Sequence, residues 1–120
     1  MGNINGDTFS SPDGLRIDPQ GRLWVETDHS ITGTSGVTGK TLEQAFGNNS
    51  IYHIDQVTKL SKRFLVEPKG CEITGIAYTP DLKNFFMNIQ HPNGNWPVAG
   101  TQPRSSTIVV RRSDAQPVGN

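Results

Sequence analysis

The sequence predicts an all-β fold, and three observations carry that expectation: few apolar residues, many turn formers, and strand-like segments that recur at a fixed spacing. Hydrophobic residues are 32% of the 120-residue chain, against roughly 45–50% apolar, Gly included, in an average globular protein. Its 13 Gly and 8 Pro supply turns. One core is the expectation at this length, assembled from short strands rather than from helices.

The spacing is the most informative of the three. Pro12-Asp13-Gly14-Leu15-Arg16-Ile17-Asp18-Pro19 and Ile73-Thr74-Gly75-Ile76-Ala77-Tyr78-Thr79-Pro80 superpose at an offset of 61 residues, which also aligns Arg22-Leu23-Trp24-Val25 with Lys83-Asn84-Phe85-Phe86. Identity is confined to Gly14/Gly75 and Pro19/Pro80, so residue class carries the rest. Each copy reads as Gly, a short apolar strand, a turn around Pro and an aromatic strand, and Asp18-Pro19-Gln20-Gly21 has Pro and Gly placed for a tight turn. Each copy is therefore a predicted hairpin. Two further strands, Ser50-Ile51-Tyr52-His53-Ile54-Asp55 and Lys62-Arg63-Phe64-Leu65-Val66, follow the first copy, whereas only Thr107-Ile108-Val109-Val110-Arg111 follows the second.

Repeated four-strand units with long loops are the pattern of a β-propeller. The chain is predicted to hold about two four-stranded antiparallel blades: residues 7–68 the first, 69–112 an incomplete second, and 113–120 a polar tail. Propellers typically close with 4–8 blades, so two do not close alone. Residues 30–49 and 90–105, rich in Gly, Thr, Ser, Asn and Pro, are predicted loops, with one helical turn over 41–46.

Eleven basic and eleven acidic residues cancel, and no basic cluster provides the footprint of a nucleic-acid binder. No apolar run approaches the ~20 residues that span a bilayer. The opening Met1-Gly2-Asn3-Ile4-Asn5-Gly6 lacks the basic and apolar regions of an export signal. Neither nucleic acid nor membrane is an expected partner. The single cysteine, Cys71, excludes an intrachain disulfide and a paired-cysteine zinc site. Thr34-Ser35-Gly36-Val37-Thr38-Gly39-Lys40-Thr41 imitates a phosphate-binding loop, but Thr34 stands where that motif needs Gly and no buried strand precedes it.

A succession of blocks carries a family likeness: Phe9-Ser10-Ser11-Pro12-Asp13-Gly14-Leu15, then Asp18-Pro19-Gln20-Gly21-Arg22-Leu23-Trp24-Val25-Glu26-Thr27-Asp28, Gly47-Asn48-Asn49, Arg63-Phe64-Leu65, Gly70-Cys71-Glu72-Ile73-Thr74-Gly75, and Phe86-Met87-Asn88-Ile89-Gln90-His91-Pro92. In this order, and with Arg104-Ser105-Ser106-Thr107 continuing it, the chain resembles a C-terminal piece of a PhoX-type bacterial alkaline phosphatase. The resemblance implies a secreted or periplasmic enzyme, a six-bladed propeller whose central channel holds calcium and iron and hydrolyses phosphate monoesters. It also implies that this chain supplies only some of the blades, that its partners are the missing blades or other copies of itself, and that it is inactive alone. Two other classes stand beside that reading: a non-catalytic blade module that self-assembles through open strand edges, and a lactonase-like or sugar-binding propeller, which uses similar Asp-Pro-x-Gly hairpins.

The family's metal-ligand role passes by resemblance to Asp13 and Glu72, each read as standing just before the innermost strand of its blade. Hard cations take carboxylate oxygens, and Gly14 and Gly75 let a backbone come close. For Asp13 the alternative is an Asx cap on the Pro-Asp-Gly turn. Glu26 and Asp28 fall on one face of strand 23–28. Glu26 is expected in solvent, opposite Trp24, and Asp28 at the strand end is the third metal candidate. His91, before Pro92, is either a turn residue or a group that binds phosphate or assists the leaving group. Arg104 offers a planar fork for phosphate oxygens, or is simply solvated. Cys71 is read as a small buried hydrophobe rather than an iron ligand.

Overall fold

Turn chemistry and strand length translate here into two sheets. The computed structural model describes residues 5–94 and 96–119; residues 1–4 in the opening segment, Asn95 in the 90–105 segment and Asn120 at the end of the tail lie outside the described residues. In chain order the elements are β1 (Asn5–Gly6), β2 (Pro12–Ile17), β3 (Leu23–Thr27), α1 (Leu42–Phe46), β4 (Ser50–Ile54), β5 (Leu60–Val66), β6 (Glu72–Tyr78), β7 (Phe85–Gln90) and β8 (Ser106–Val110). None of the described helices is long and apolar enough to cross a membrane.

The Asp18-Pro19-Gln20-Gly21 turn closes through a 2.9 Å bond from the Gly21 N–H to the Asp18 carbonyl, with Gly21 at φ +77°, where a side chain would be strained. It joins β2 to β3, and β4 and β5 complete four antiparallel strands, ordered β5-β4-β3-β2. β6, β7 and β8 form a second antiparallel sheet of three. The all-β, two-sheet expectation therefore holds. One strand had no sequence signal: β1, two residues long, adds to the first sheet as a parallel edge, with Asn5 opposite Leu60 and Gly6 opposite Ser61. The helical turn forms because Thr41 caps it reciprocally, its hydroxyl accepting from the Gln44 N–H (3.2 Å) and its N–H donating to Gln44 Oε1 (2.9 Å).

The core lies between the sheets. Trp24, Ile51, Ile73, Phe85, Met87 and Ile89 are each at most 1% exposed, and the Trp24 ring meets those of Phe64 and Phe85 edge-on, 5.0 Å from each. This contact corrects the repeat. Blades related by rotation point equivalent side chains the same way around the axis, yet Trp24 and Phe85, equivalent at an offset of 61, face each other across one interface. The registers explain it: Ile17 pairs with Leu23 but Tyr78 with Phe85, so the second hairpin is one residue longer and the counterpart of Trp24 is Phe86, not Phe85. The predicted polar tail also differs from expectation: Val118 is 1% exposed within the core, its N–H donating to the Leu82 carbonyl (2.8 Å) and its carbonyl accepting from Arg22 (3.0 Å).

Candidate functional site

The first strands of the two sheets lie side by side, and a chain of carboxylates follows that seam. Asp13 sits exposed in β2, and Glu72 opens β6, half-buried. Both belong to their strands rather than preceding them. Between them Glu26 reaches from β3 to accept the Ile76 N–H at 2.9 Å. Its expected solvent position is overturned: Glu26 is 6% exposed, and with period-two alternation it shares Trp24's face, not the opposite one. Burial raises the Glu26 carboxyl above its ordinary range, with the charges of Asp13 and Glu72 adding to it against the backbone N–H groups of Ile76 and Gly75.

This geometry also accounts for the paired glycines. A Cβ on Gly14 would collide with the Glu26 carboxylate, and one on Gly75 would lie 2.7 Å from Asn88 Nδ2. The close approach at both positions is made by the protein's own side chains.

Beside the seam opens a cleft of about 420 Å³ lined by Asp28, His29, Asn49, Cys71, Glu72 and His91, among others. Asp28, one residue past β3, is exposed there and tied at its N–H to the Ser11 carbonyl (3.0 Å). Glu72 Oε2 accepts from Gln90 Nε2 (3.1 Å), and the same amide nitrogen lies 2.9 Å from His91 Nε2. Since an amide NH2 only donates, the His91 Nε2 accepts and its proton is on Nδ1. Burial raises the Glu72 carboxyl, Asp28 and Asp13 adding to the effect and His91 opposing it. The structure thus brings Asp28, Glu72 and His91 to one cleft, with Asp13 electrostatically coupled to Glu72 along the seam. It does not bring Arg104 there: that residue is exposed two positions before β8, which pairs with β7 on the side away from β6.

Two further residues line the cleft and a third stands near it, none of them singled out by sequence as a site residue. Asn49, 5% exposed, is its structural hub: Nδ2 donates to the carbonyls of His29 (3.0 Å) and Cys71 (2.9 Å), while Oδ1 accepts from the His29 N–H (2.8 Å) and the Thr27 hydroxyl (3.2 Å). His29 is 6% exposed. Glu67, 3% exposed, is not among the lining residues but feels the charges of two of them, its carboxyl pushed up to about 8 by burial and by Glu72 and Asp28. Only Asn49 had a signal, as part of the Gly47-Asn48-Asn49 block. Cys71 is buried, as read, and burial followed by the Glu67 charge raises its thiol, which keeps it protonated.

The donor set suits a hard cation: carboxylate oxygens with no Lys or Arg among the cleft residues. Among the described residues, however, no group of three or more His, Cys, Asp or Glu side chains stands where it could hold a metal ion.

A family model described as alkaline phosphatase PhoX matches residues 1–93. Among solved structures, Pseudomonas fluorescens PhoX in complex with vanadate, a transition state analogue, superposes with a TM-score of 0.77 at 39% identity, covering 94% of this chain and 20% of the Pseudomonas chain. This sequence therefore spans about a fifth of that relative. No curated protein matches it.

Proposed function

The chain belongs to the PhoX alkaline phosphatase family, and from that premise we propose that it supplies part of the metal-bearing site of a phosphomonoesterase. The observation that carries the reading is the cleft where Asp28 and Glu72 meet His91. Asp13, Asp28 and Glu72 would hold calcium, with iron held elsewhere in a completed six-bladed propeller of secreted or periplasmic setting. When bound, such cations neutralise the charge of the phosphoryl group and orient it. The chain's own residues do the rest. Gln90 fixes the Glu72 carboxylate and the His91 tautomer with one amide, leaving His91 Nδ1–H as a donor for a phosphate or leaving-group oxygen. Arg104, outside the cleft, has no such position. Membership of the family displaces the lactonase-like alternative.

Alone, a chain spanning a fifth of its relative is expected to turn over a chromogenic phosphate monoester at background rate; an enzymatic rate would show that it needs nothing more. In a chimera carrying this sequence in place of the matched segment of the Pseudomonas protein, hydrolysis should persist, and Glu72→Ala should lower kcat/KM by about 10–100-fold. A chimera that hydrolyses equally well with Glu72→Ala and Asp28→Ala would overturn the ligand assignment.

A second reading, a blade pair that assembles with further copies, is favoured by the outer face of the three-stranded sheet. There Phe86 (36% exposed) and Val109 (53% exposed) stand in register, an apolar stripe suited to a second copy. Light scattering should then show mass rising with concentration; a monomer throughout removes it.

A further inference from the structure

We propose that the free edge of β8 takes up an extended peptide segment from outside this sequence, with a β-branched centre and acidic flanks, and that the cleft between β8 and β5 receives its side chains. Neither the edge nor the cleft belongs to the carboxylate site, so the proposal stands apart from the reading of that site.

β8 ends the three-stranded sheet. Among the described residues, no backbone group of Ser106–Val110 bonds any main chain other than that of β7, and in an antiparallel strand with one neighbour every second residue turns its N–H and C=O outward. Exposed edges are ordinarily guarded by a charge, a Pro or a bulge. The segment Ser106-Thr107-Ile108-Val109-Val110 contains neither charge nor Pro, and its ladder with β7 runs without the register shift that interrupts β6 and β7. Such an edge accepts a further strand, whose main-chain bonds supply affinity while its alternate side chains supply specificity.

Beside the edge lies room for those side chains. Lys62 and Phe64 of β5 and Val110 and Arg111 at the end of β8 line a cavity of about 340 Å³, on the flank where the second sheet is one strand narrower than the four antiparallel strands of the first. Phe64 and Val110 both pack on the core, so an apolar side chain placed against them extends it. Lys62 and Arg111 are exposed, and no Asp or Glu lines the cavity. The carboxylate cleft is at the other end of the strands: Val110 pairs with Phe85 at the start of β7, whereas His91 follows its last residue, Gln90.

Charge selects the occupant. Arg104 precedes β8 and Arg111 and Arg112 follow it. Two copies pairing edge to edge in parallel register would set Arg111 against the second copy's Arg111, and antiparallel pairing about Ile108 would set Arg104 against the second copy's Arg112. Like charges directly opposite destabilise a strand pair. A segment with acidic flanks meets cations at both ends of β8 and at Lys62 instead.

The test uses the full chain and labelled synthetic peptides with the same Val-Thr-Val-Thr-Val centre, flanked on both sides by glutamates or by lysines. Fluorescence anisotropy should show the glutamate-flanked peptide binding about tenfold or more tightly than the lysine-flanked one, with the difference shrinking as salt rises. Hydrogen exchange should slow on its addition at amides within 106–110. A chain carrying Lys62→Glu and Arg111→Glu, both at exposed positions, should reverse the preference, a gain of binding that loss of folding cannot imitate. Equal affinity for the two peptides, binding of neither, no reversal in the double variant, or protection outside 106–110 each overturns the proposal. So does protection of 106–110 that grows with protein concentration without peptide, which would make a second copy the occupant. Equal binding by a glutamate peptide lacking the β-branched centre would also overturn it, leaving a surface that attracts charge and no strand.

Discussion

Trp24→Ala is expected to leave the chain without a stable fold at 25 °C. Trp24 is fully buried, and removing a buried Trp side chain costs about 3–5 kcal/mol through lost transfer energy and the cavity left behind. Its indole N–H also donates to Asp18 Oδ2 at 2.9 Å. Asp18 is itself 4% exposed; burial alone would raise its carboxyl, but the bonds from Trp24 and Arg22 hold it below the ordinary value. Losing that donor adds about 1–3 kcal/mol. The sum approaches or exceeds the lower half of the roughly 5–15 kcal/mol available to a whole domain, and a chain with 32% hydrophobic residues belongs in that half. Circular-dichroism melts should show no cooperative transition for Trp24→Ala and a lowered but cooperative one for Trp24→Phe. A Trp24→Ala transition within about 5 °C of the parent would mean that the two sheets do not share one core.

The second large effect concerns acidity in the calcium-free chain. The Glu67 carboxyl, raised to about 8 in the folded state from an unfolded value of 4.5, binds its proton more tightly when folded. Its contribution to stability is fully present below pH 4.5 and is lost progressively as pH rises to about 8. Over that window the loss is on the order of a few kcal/mol. Glu67→Gln should therefore match the parent near pH 4.5 and exceed it by a few kcal/mol at pH 8.5 in urea titrations with chelator present. Glu26 and Glu72 are shifted in the same direction, so part of the slope should survive the substitution. An identical pH slope in both proteins would show that the Glu67 carboxyl reaches water.

Much of the fold was legible because local chemistry and global packing agree. Asp18-Pro19-Gln20-Gly21 could only turn, Thr41 and Gln44 could cap a short helix, and alternating strands with aromatic residues announced the sheets. What stayed hidden follows from distance. β1 is too short to have a period, and its pairing with β5 is set by tertiary context. Glu26 was misplaced because its charge suggested solvent, although alternation puts it on the same face as Trp24; β3 is buried on both faces over Trp24–Thr27, so a carboxylate on either face is enclosed. Asp28, Glu72 and His91, singled out in the sequence by resemblance or by strand position, share one cleft because each lies at or just beyond a strand end. Glu67, in a Pro- and Gly-containing connection, reads locally as an ordinary turn residue, and only the fold reveals that it is enclosed.

The position of Val118 has a consequence for how the molecule is made. Its side chain fills the joint between the sheets, and it bonds both the turn that starts the first sheet, through Arg22, and the turn within the second, through Leu82. Chains emerge from synthesis N-terminus first, at about 5–20 residues per second. The first sheet can therefore assemble early, but the joint stays open until residue 118 has been added. For those seconds the core around Trp24 and Phe85 lacks one of its buried side chains and the two turns lack the backbone bonds that tie them together.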